Sequence, residues 1–241
     1  MAAFACVALI VLSSAVLRGL TGFGFALAAV PLMAFVIPPG EAVVTAVLLQ
    51  CMTAVWDVVI RPRPLDRSFL RHLLTGAILG APIGAALLVI ASDAVVRVAV
   101  GLAVLIGVFG LWLKLRIIPS VLKERLTGVT AGLLAGLAGI PGPPVVLYAM
   151  ATGREGPKIR ETFMVFFGIA AFLALPVVAL GGLVDEQTLF SAVGLLPLVV
   201  VGGVVGRCLA LALPGDLIRQ ATAGLLVASA AATLWKAFSG M

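Results

Sequence analysis

The chain has 241 residues, of which 63% are hydrophobic and 11% are charged, and its mean hydropathy is +1.27. A soluble domain of this size is near half apolar and a quarter charged, so the composition excludes one and predicts a polytopic helical membrane protein. A net charge of +6 would suit nucleic-acid binding, but the placement of the basic residues, described below, argues against that partner.

The first half begins with an apolar segment that is too long for one straight span. Residues 3–37 carry a single charge, Arg18, and three glycines at Gly19, Gly22 and Gly24. As one helix they would reach about 52 Å, against a hydrocarbon core of roughly 30 Å. Arms of about 15 and 13 residues would each be too short to cross. We therefore predict a re-entrant or broken helical hairpin with its tip at the glycines. The spans that follow are predicted at about 42–60, 68–91 and 94–115.

The second half repeats this plan around a glycine–proline break. In the segment AGLLAGLAGIPGPPVVLYAMATG, at 131–153, an apolar helix stops at Ile140-Pro-Gly-Pro-Pro and another begins. The prolines end the incoming helix, and Pro143 and Pro144 suit the first turn of the outgoing one. We predict a hairpin at about 126–152. The spans that follow are predicted at about 160–181, 188–212 and 217–237.

Residues recur at matching positions of the two halves. Gly19 and Gly22 match Gly136 and Gly139 at a spacing of 117 residues, as Thr45 matches Thr162. At a spacing of 122 residues, the matches are Gly80 with Gly202, Gly84 with Gly206, and Arg97 with Arg219. We interpret 1–120 and 121–241 as two transmembrane repeats that arose by duplication.

The basic residues predict how the repeats are oriented. If each hairpin returns to its own side, twelve basic residues face one side and two face the other. If each break only interrupted one crossing helix, the split would be nine to five. The positive-inside rule favours the first arrangement. It places the N-terminus outside, makes the two repeats inverted, as in many secondary transporters, and leaves no reason to expect a nucleic-acid partner.

The two breaks are the predicted substrate site. Interrupted helices in matching positions of two halves point to a transporter's binding site, and helix N-termini bind anions. Arg18 should lie near mid-membrane, where a charge is costly and usually functional, so it is the predicted counter-charge of a small anionic substrate. The predicted substrate-binding residues are Arg18, Gly19, Thr21, Gly22, Gly24, Gln50, Gly139, Pro141, Gly142 and Pro143.

Each of these residues also has a structural interpretation that the sequence leaves open. The glycines would permit close helix packing, and Gln50 and Thr21 would hold helices together by hydrogen bonds. Arg18 would form an ion pair or reach a water-filled cavity. Asp57 would pair with Arg61 one turn later, or it would couple transport to protons.

The sequence does not favour an enzyme. It has no Ser/His/Asp or Cys/His set, no HExxH and no phosphate-binding GxxxxGK[ST] motif, so no catalytic residue, metal or cofactor is predicted. His72, which lies among loop arginines, is expected to be solvated. An intramembrane enzyme and a non-transporting assembly subunit stay as alternatives.

The two break sequences, GLTGFGFALAAVPLMAF at 19–35 and GLAGIPGPPVVLYAM at 136–150, resemble the sulfite exporter TauE/SafE family, and the Arg160-Glu-Thr-Phe segment also suits it. Phe25-Ala26 stand where that family often has glycine. The resemblance implies a multi-pass protein of the bacterial inner membrane that moves sulfur-containing oxyanions or organosulfonates, including sulfite and sulfoacetate. It also implies that certain residues are motif positions. These are Gly19, Gly22, Gly24, Gly139, Gly142 and Pro143.

Taken together, the sequence predicts an all-α secondary transporter in the lipid bilayer that exports a small anion by alternating access. Which anion it carries, which ion is coupled to transport and whether the chain forms a homo-oligomer are left open.

Overall fold

The structure, a computed structural model, describes residues 2–55, 64–112 and 116–212. Across these ranges the chain forms α-helices and no strand. The helices are α1 (Ala2–Thr21), α2 (Phe25–Met33), α3 (Pro39–Val55), α4 (Arg67–Ile90), α5 (Asp93–Trp112), α6 (Val121–Ala138), α7 (Gly142–Ala151), α8 (Pro157–Leu180) and α9 (Glu186–Ala212). Because α1, α4, α8 and α9 are long and apolar enough to cross a membrane, the prediction of an all-α polytopic membrane protein is confirmed.

The helix bounds follow the predicted spans closely. α4, α8 and α9 coincide with three of the spans to within three residues, and α3 and α5 begin at or just before the starts predicted for two others. The second hairpin begins earlier than predicted, since α6 starts at Val121. The predicted span at 217–237 lies outside the described residues.

The first break covers Gly22–Gly24, and the prediction that it begins at Gly19 was wrong. α1 continues to Thr21 and has 20 residues, or about 30 Å of length, so the predicted 15-residue arm was also wrong. Gly19 stays helical because it serves packing. A Cβ atom there would lie 2.6 Å from the Gly203 carbonyl oxygen and 2.8 Å from the Gly206 Cα of α9.

α4 and α6 pack closely along their length through glycines on both helices, because small residues let membrane helices approach each other. A Cβ atom at Gly76 would lie 2.6 Å from the Val129 nitrogen, and one at Gly84 would lie 2.9 Å from the Leu133 carbonyl carbon. A residue further along α4 therefore contacts a residue further along α6, so the two helices run parallel. The glycines of this interface are Gly76, Gly80, Gly84, Gly128, Gly132 and Gly136.

α1 and α9 pack in the same way. A Cβ atom at Gly206 would lie 2.8 Å from the Gly19 Cα, and one at Gly136 would lie 2.7 Å from the Gly84 carbonyl carbon. These two glycine pairs are equivalent under the spacings of 117 and 122 residues. This packing is expected of an internal duplication in which the first helix of each half packs against a helix of the other half.

α4, α6 and α8 begin on one face of the protein. The Asp66 N–H donates to Thr162 Oγ1 at 3.0 Å near the starts of α4 and α8, and Val89 lies against Gly181 at their ends. We call this face the basic face because it carries exposed cationic residues at the three helix starts. They are Arg67, Arg71, Lys123, Arg125 and Lys158.

α1 and α9 run in the opposite direction. The last turn of α1 lies at the start of α8, since the Arg160 guanidinium donates to the Gly19 carbonyl oxygen. The first turn of α1 lies near the start of α9, where Phe4 Cζ is 3.8 Å from the Cβ position of Gly194. The first arms of the two hairpins, α1 and α6, therefore enter from opposite faces.

Ion pairs tie the helix starts together at the basic face. Arg154 donates through Nη1 to Asp66 at 2.9 Å and through Nη2 to Glu124 at 2.6 Å, and its guanidinium lies 4.4 Å from the centre of the Phe69 ring. His72 Nδ1 lies 2.6 Å from the second Glu124 oxygen. The expectation that His72 is solvated was wrong, because its side chain is 13% exposed and packs onto Glu124.

We expect Glu124→Gln to destabilise the folded protein by about 3 kcal/mol, because Arg154 would lose the nearer of its two carboxylate partners and His72 would lose the carboxylate oxygen at 2.6 Å. For a chain of this size that corresponds to a fall in Tm of roughly 6–12 °C, measured in detergent. Glu155→Gln is the matched control, since Glu155 is an exposed carboxylate next to Arg154. Equal Tm values for the two variants would contradict a stabilising role for this network.

Candidate functional site

One cavity is bordered by both helix breaks. Residues 22–27 of the first hairpin and 140–142 of the second line it, together with parts of α3 and α8. The space open to the centre of a water-sized sphere is about 30 Å³, which is room for about two water molecules. An ion of a few atoms suits this space better than a nucleotide or a lipid.

The structure brings six of the ten predicted site residues to this cavity and places the other four beside it. Those that line the cavity are Arg18, Gly22, Gly24, Gln50, Pro141 and Gly142. Gly19 lines a second cavity next to the first, and Pro143 lines a small void on its other side. Thr21 and Gly139 shape the two breaks, as follows.

The first break depends on two glycines. Gly22 and Gly24 have φ values of 82° and 100°, which residues with a Cβ atom rarely adopt. The Thr21 hydroxyl oxygen lies 3.3 Å from the Phe23 nitrogen and so helps to hold the turn. α2 begins at Phe25, and its first helical bond joins the Ala28 N–H to the Gly24 carbonyl. The N–H groups of residues 25–27 therefore have no acceptor within the helix, and all three residues line the cavity.

The second break offers fewer backbone donors. Gly139 ends α6 with a φ of 69°, and its N–H donates to the Ala135 carbonyl at 3.1 Å. Pro141 precedes α7, and Pro143 and Pro144 occupy its first turn. Since proline has no N–H, Gly142 is the one residue of 141–144 with a backbone donor. The two helix starts are therefore unequal, with α2 the stronger anion-binding end.

α2 and α7 start at the same level and run apart. A Cβ atom at Gly107 of α5 would lie 3.4 Å from both Leu27 Cδ2 and Pro143 Cγ. The end of α2 lies near the start of α5, since Arg97 Nη1 donates to the Ala34 carbonyl at 3.0 Å. The end of α7 lies beyond the other end of α5, where the Ile117 N–H donates to the Ala151 carbonyl at 2.8 Å. The positive ends of both helix dipoles therefore point towards the cavity.

Gln50 connects the two halves of the chain at this cavity. Its Nε2 atom donates to the Gly139 carbonyl at 3.0 Å and to the Ala46 carbonyl at 3.2 Å. The side chain thus fixes the second break against α3 and also borders the cavity. Its two predicted roles, binding substrate and holding helices together, are compatible in this geometry.

Arg18 lies between two cavities. It lines the main cavity and the second one, which it shares with Thr53 and Met164. Arg207 of α9 borders the second cavity. Among the described residues that line the main cavity, Arg18 is the one with a charged side chain.

The family model described as Sulfite exporter TauE/SafE matches residues 6–233. This chain belongs to the TauE/SafE family. TauE/SafE proteins are membrane transporters, and the match includes both breaks and every predicted site residue. No curated protein and no solved structure matches the chain.

Several residues that line the cavity of this TauE/SafE protein were not predicted from the sequence. Thr53, Met164 and Phe167 line the main cavity. Phe167 had a detectable relation to the site, since it matches Gln50 at the spacing of 117 residues, whereas nothing distinguished Thr53 or Met164 from other span residues.

Asp57, predicted as a residue for proton coupling, lies outside the described residues. In the described part of the chain no cluster of His, Cys, Asp and Glu has the arrangement of a metal site.

Proposed function

We propose that this TauE/SafE protein exports a small sulfur-containing oxyanion or organosulfonate, such as sulfite or sulfoacetate, and holds it between the starts of α2 and α7. The observation that carries the proposal is that one cavity is bordered by both helix breaks and by Arg18 and Gln50. These features come from three separate parts of the sequence, at 18–27, 50 and 140–142.

The chemistry of the cavity favours an oxyanion. Arg18 supplies a guanidinium, α2 supplies backbone N–H groups, and the Gly142 N–H lies at the other helix start. Sulfite and sulfonate groups present several oxygen acceptors to such donors. Away from bulk water these charge-assisted hydrogen bonds are stronger than they would be at a protein surface.

The arrangement of the helices supports alternating access by two inverted repeats. α1 and α6 enter from opposite faces, and the glycine pairs at α1·α9 and α4·α6 are equivalent. By the positive-inside rule we assign the basic face to the cytoplasm and the start of α1 to the outside. The bacterial inner membrane is the location that the family resemblance implies. A negative interior favours anion efflux by about 2.3 kcal/mol per charge per 100 mV, so export requires no nucleotide. Proton coupling through Asp57 would add to this force.

Uptake of radiolabelled sulfite and sulfoacetate into vesicles reconstituted with the protein tests the proposal. We expect saturable flux in the wild type that accelerates when the membrane potential draws the anion in. Protein-free vesicles and vesicles with an unrelated membrane protein are the controls. No flux above these controls, for any small sulfur oxyanion or sulfonate, would reject the proposal.

Gly142 provides a variant that alters the cavity and leaves the packing intact. The nearest described atom to a Cβ at Gly142 is Phe167 Cζ, at 3.8 Å, so alanine fits and leucine extends into the cavity. We expect Gly142→Ala to keep most of the flux and Gly142→Leu to lose nearly all of it, with similar Tm values for both. Equal flux in the leucine variant and the wild type would show that the anion does not pass this helix start.

A further inference from the structure

The two breaks are covered by side chains of different chemistry. At the first break, a Cβ atom at Gly22 would overlap the side-chain stem of Arg160. At the second break, a Cβ atom at Gly139 would lie 3.5 Å from Val43 Cγ1. The two glycines match at the spacing of 117 residues, and so do Val43 and Arg160. Equivalent positions of the two repeats therefore carry a valine on one side and an arginine on the other.

Arg160 reaches the first break from the basic face. It lies in the first turn of α8, which begins at Pro157, and its guanidinium donates to the Gly19 carbonyl near the end of α1. Arg160 is half-buried. Val43, by contrast, is fully buried at 0% exposure and closes the second break with an apolar contact.

We propose that Arg160 forms a cationic entrance to the cavity on the cytoplasmic side, and that anions reach the site from the cytoplasm past this residue. The proposal rests on the function and orientation proposed above. The guanidinium of Arg160 stays protonated at any physiological pH, so it keeps its positive charge while it holds the Gly19 carbonyl. A cleft lined by charge of one sign raises the local concentration of counter-ions by tenfold or more. Arg160 adds a positive charge beside the first break, and Val43 cannot do this at the second.

Thiol labelling at Phe23 tests the entrance without measuring transport. Phe23 lies between the two break glycines and lines the cavity, and Phe23→Cys would be placed in a chain whose cysteines at 6, 51 and 208 are replaced by serine or alanine. Its reaction rate is measured with a thiosulfonate reagent that carries a sulfonate and with one of similar size that carries a trimethylammonium group. Inverted vesicles expose the cytoplasmic face to the reagents, and right-side-out vesicles expose the other face.

From the cytoplasmic face, we expect the anionic reagent to react faster than the cationic one. Arg160→Gln should lower the anionic-to-cationic rate ratio by roughly tenfold, Arg160→Lys should restore most of it, and Lys158→Gln should leave it unchanged. Lys158 is the matched control, because it is an exposed cation two residues away on the same helix. From the opposite face, Phe23→Cys should react slowly with both reagents.

An unchanged ratio in Arg160→Gln, or equal reaction from the two faces, would overturn the proposal. If Arg160→Gln does not fold, the labelling rates of Phe23→Cys are measured at different salt concentrations in the chain that keeps Arg160. Raising ionic strength should slow the anionic reagent at the cytoplasmic face and speed the cationic one, and no such divergence would also overturn the proposal. If labelling follows the expected pattern but the reconstituted protein transports no sulfite or sulfonate, the entrance is supported and the proposed transport function is rejected. Failure of the entrance proposal can therefore be told apart from failure of the proposed function.

Discussion

Arg18→Gln should lower the rate of sulfite or sulfonate transport by about 30-fold to 3,000-fold at low substrate concentration. Arg18 is the charged side chain among the described residues that line the main cavity, so its removal leaves the anion to the neutral N–H groups of α2 and Gly142. Truncating one member of a desolvated, hydrogen-bonded charge pair costs about 2–5 kcal/mol, and each 1.4 kcal/mol is about tenfold. The measurement is initial uptake in reconstituted vesicles, with Tm recorded for each variant.

Two controls separate this effect from a general loss of positive charge. Arg71→Gln removes an exposed cation of the basic face and should retain flux close to that of the wild type. Arg18→Lys keeps the charge but loses the planar donor geometry of guanidinium, so intermediate flux is expected. If Arg18→Gln folds normally and transports like Arg71→Gln, Arg18 is not the counter-charge of the substrate.

Gly206→Ala should destabilise the folded protein markedly, whereas Gly203→Ala in the same helix should have little effect on the free energy of unfolding. A Cβ atom at Gly206 would overlap the backbone of α1, with the Gly19 Cα at 2.8 Å, while no described atom lies within 4 Å of a Cβ at Gly203. Overpacking of this kind costs about 1–3 kcal/mol or more, or a fall in Tm of roughly 2–12 °C for a chain of this size. Thermal unfolding in detergent measures both variants.

Gly84→Ala extends this prediction to the glycine pair between α4 and α6. The pair Gly84–Gly136 is equivalent to the pair Gly206–Gly19, and a Cβ at Gly84 would meet the backbone of Leu133 as closely. We therefore expect Gly84→Ala to lower Tm about as much as Gly206→Ala does. A large effect of one variant with no effect of the other would contradict reciprocal packing of the two repeats.

The sequence predicted the breaks because glycine and proline have local consequences. Gly22 and Gly139 both adopt positive φ, and Pro143 stands in the first turn of α7, as their chemistry requires. Gly19 was assigned to the break wrongly, because a glycine within a helix has the same local properties whether it ends the helix or packs against another backbone. That distinction depends on α9, which is far away in the sequence.

The contacts of the longer side chains were not predictable in the same way. Arg160 was noted in the sequence only as part of the Arg160-Glu-Thr-Phe segment, and its contact with the Gly19 carbonyl depends on how α8 packs against α1. His72 was expected in water but pairs with Glu124, which is 52 residues away. Gln50 was predicted as a hydrogen-bond donor, either to the substrate or between helices, but its partner, the Gly139 carbonyl, depends on how the second break packs against α3.

The most direct test of two hairpins entering from opposite faces is the sidedness of Gly40→Cys and Gly153→Cys in a cysteine-free chain. Gly40 lies in the first turn of α3, which follows the first hairpin, and Gly153 lies just after α7. A Cβ at either position meets no described atom within 4 Å, so neither substitution should disturb packing. Gly153 has a φ of 68°, so Gly153→Cys strains the backbone locally, and its Tm is compared with that of Gly40→Cys. A membrane-impermeant thiol reagent should label Gly40→Cys in right-side-out vesicles and Gly153→Cys in inverted vesicles. Labelling of both cysteines from the same face would contradict the account.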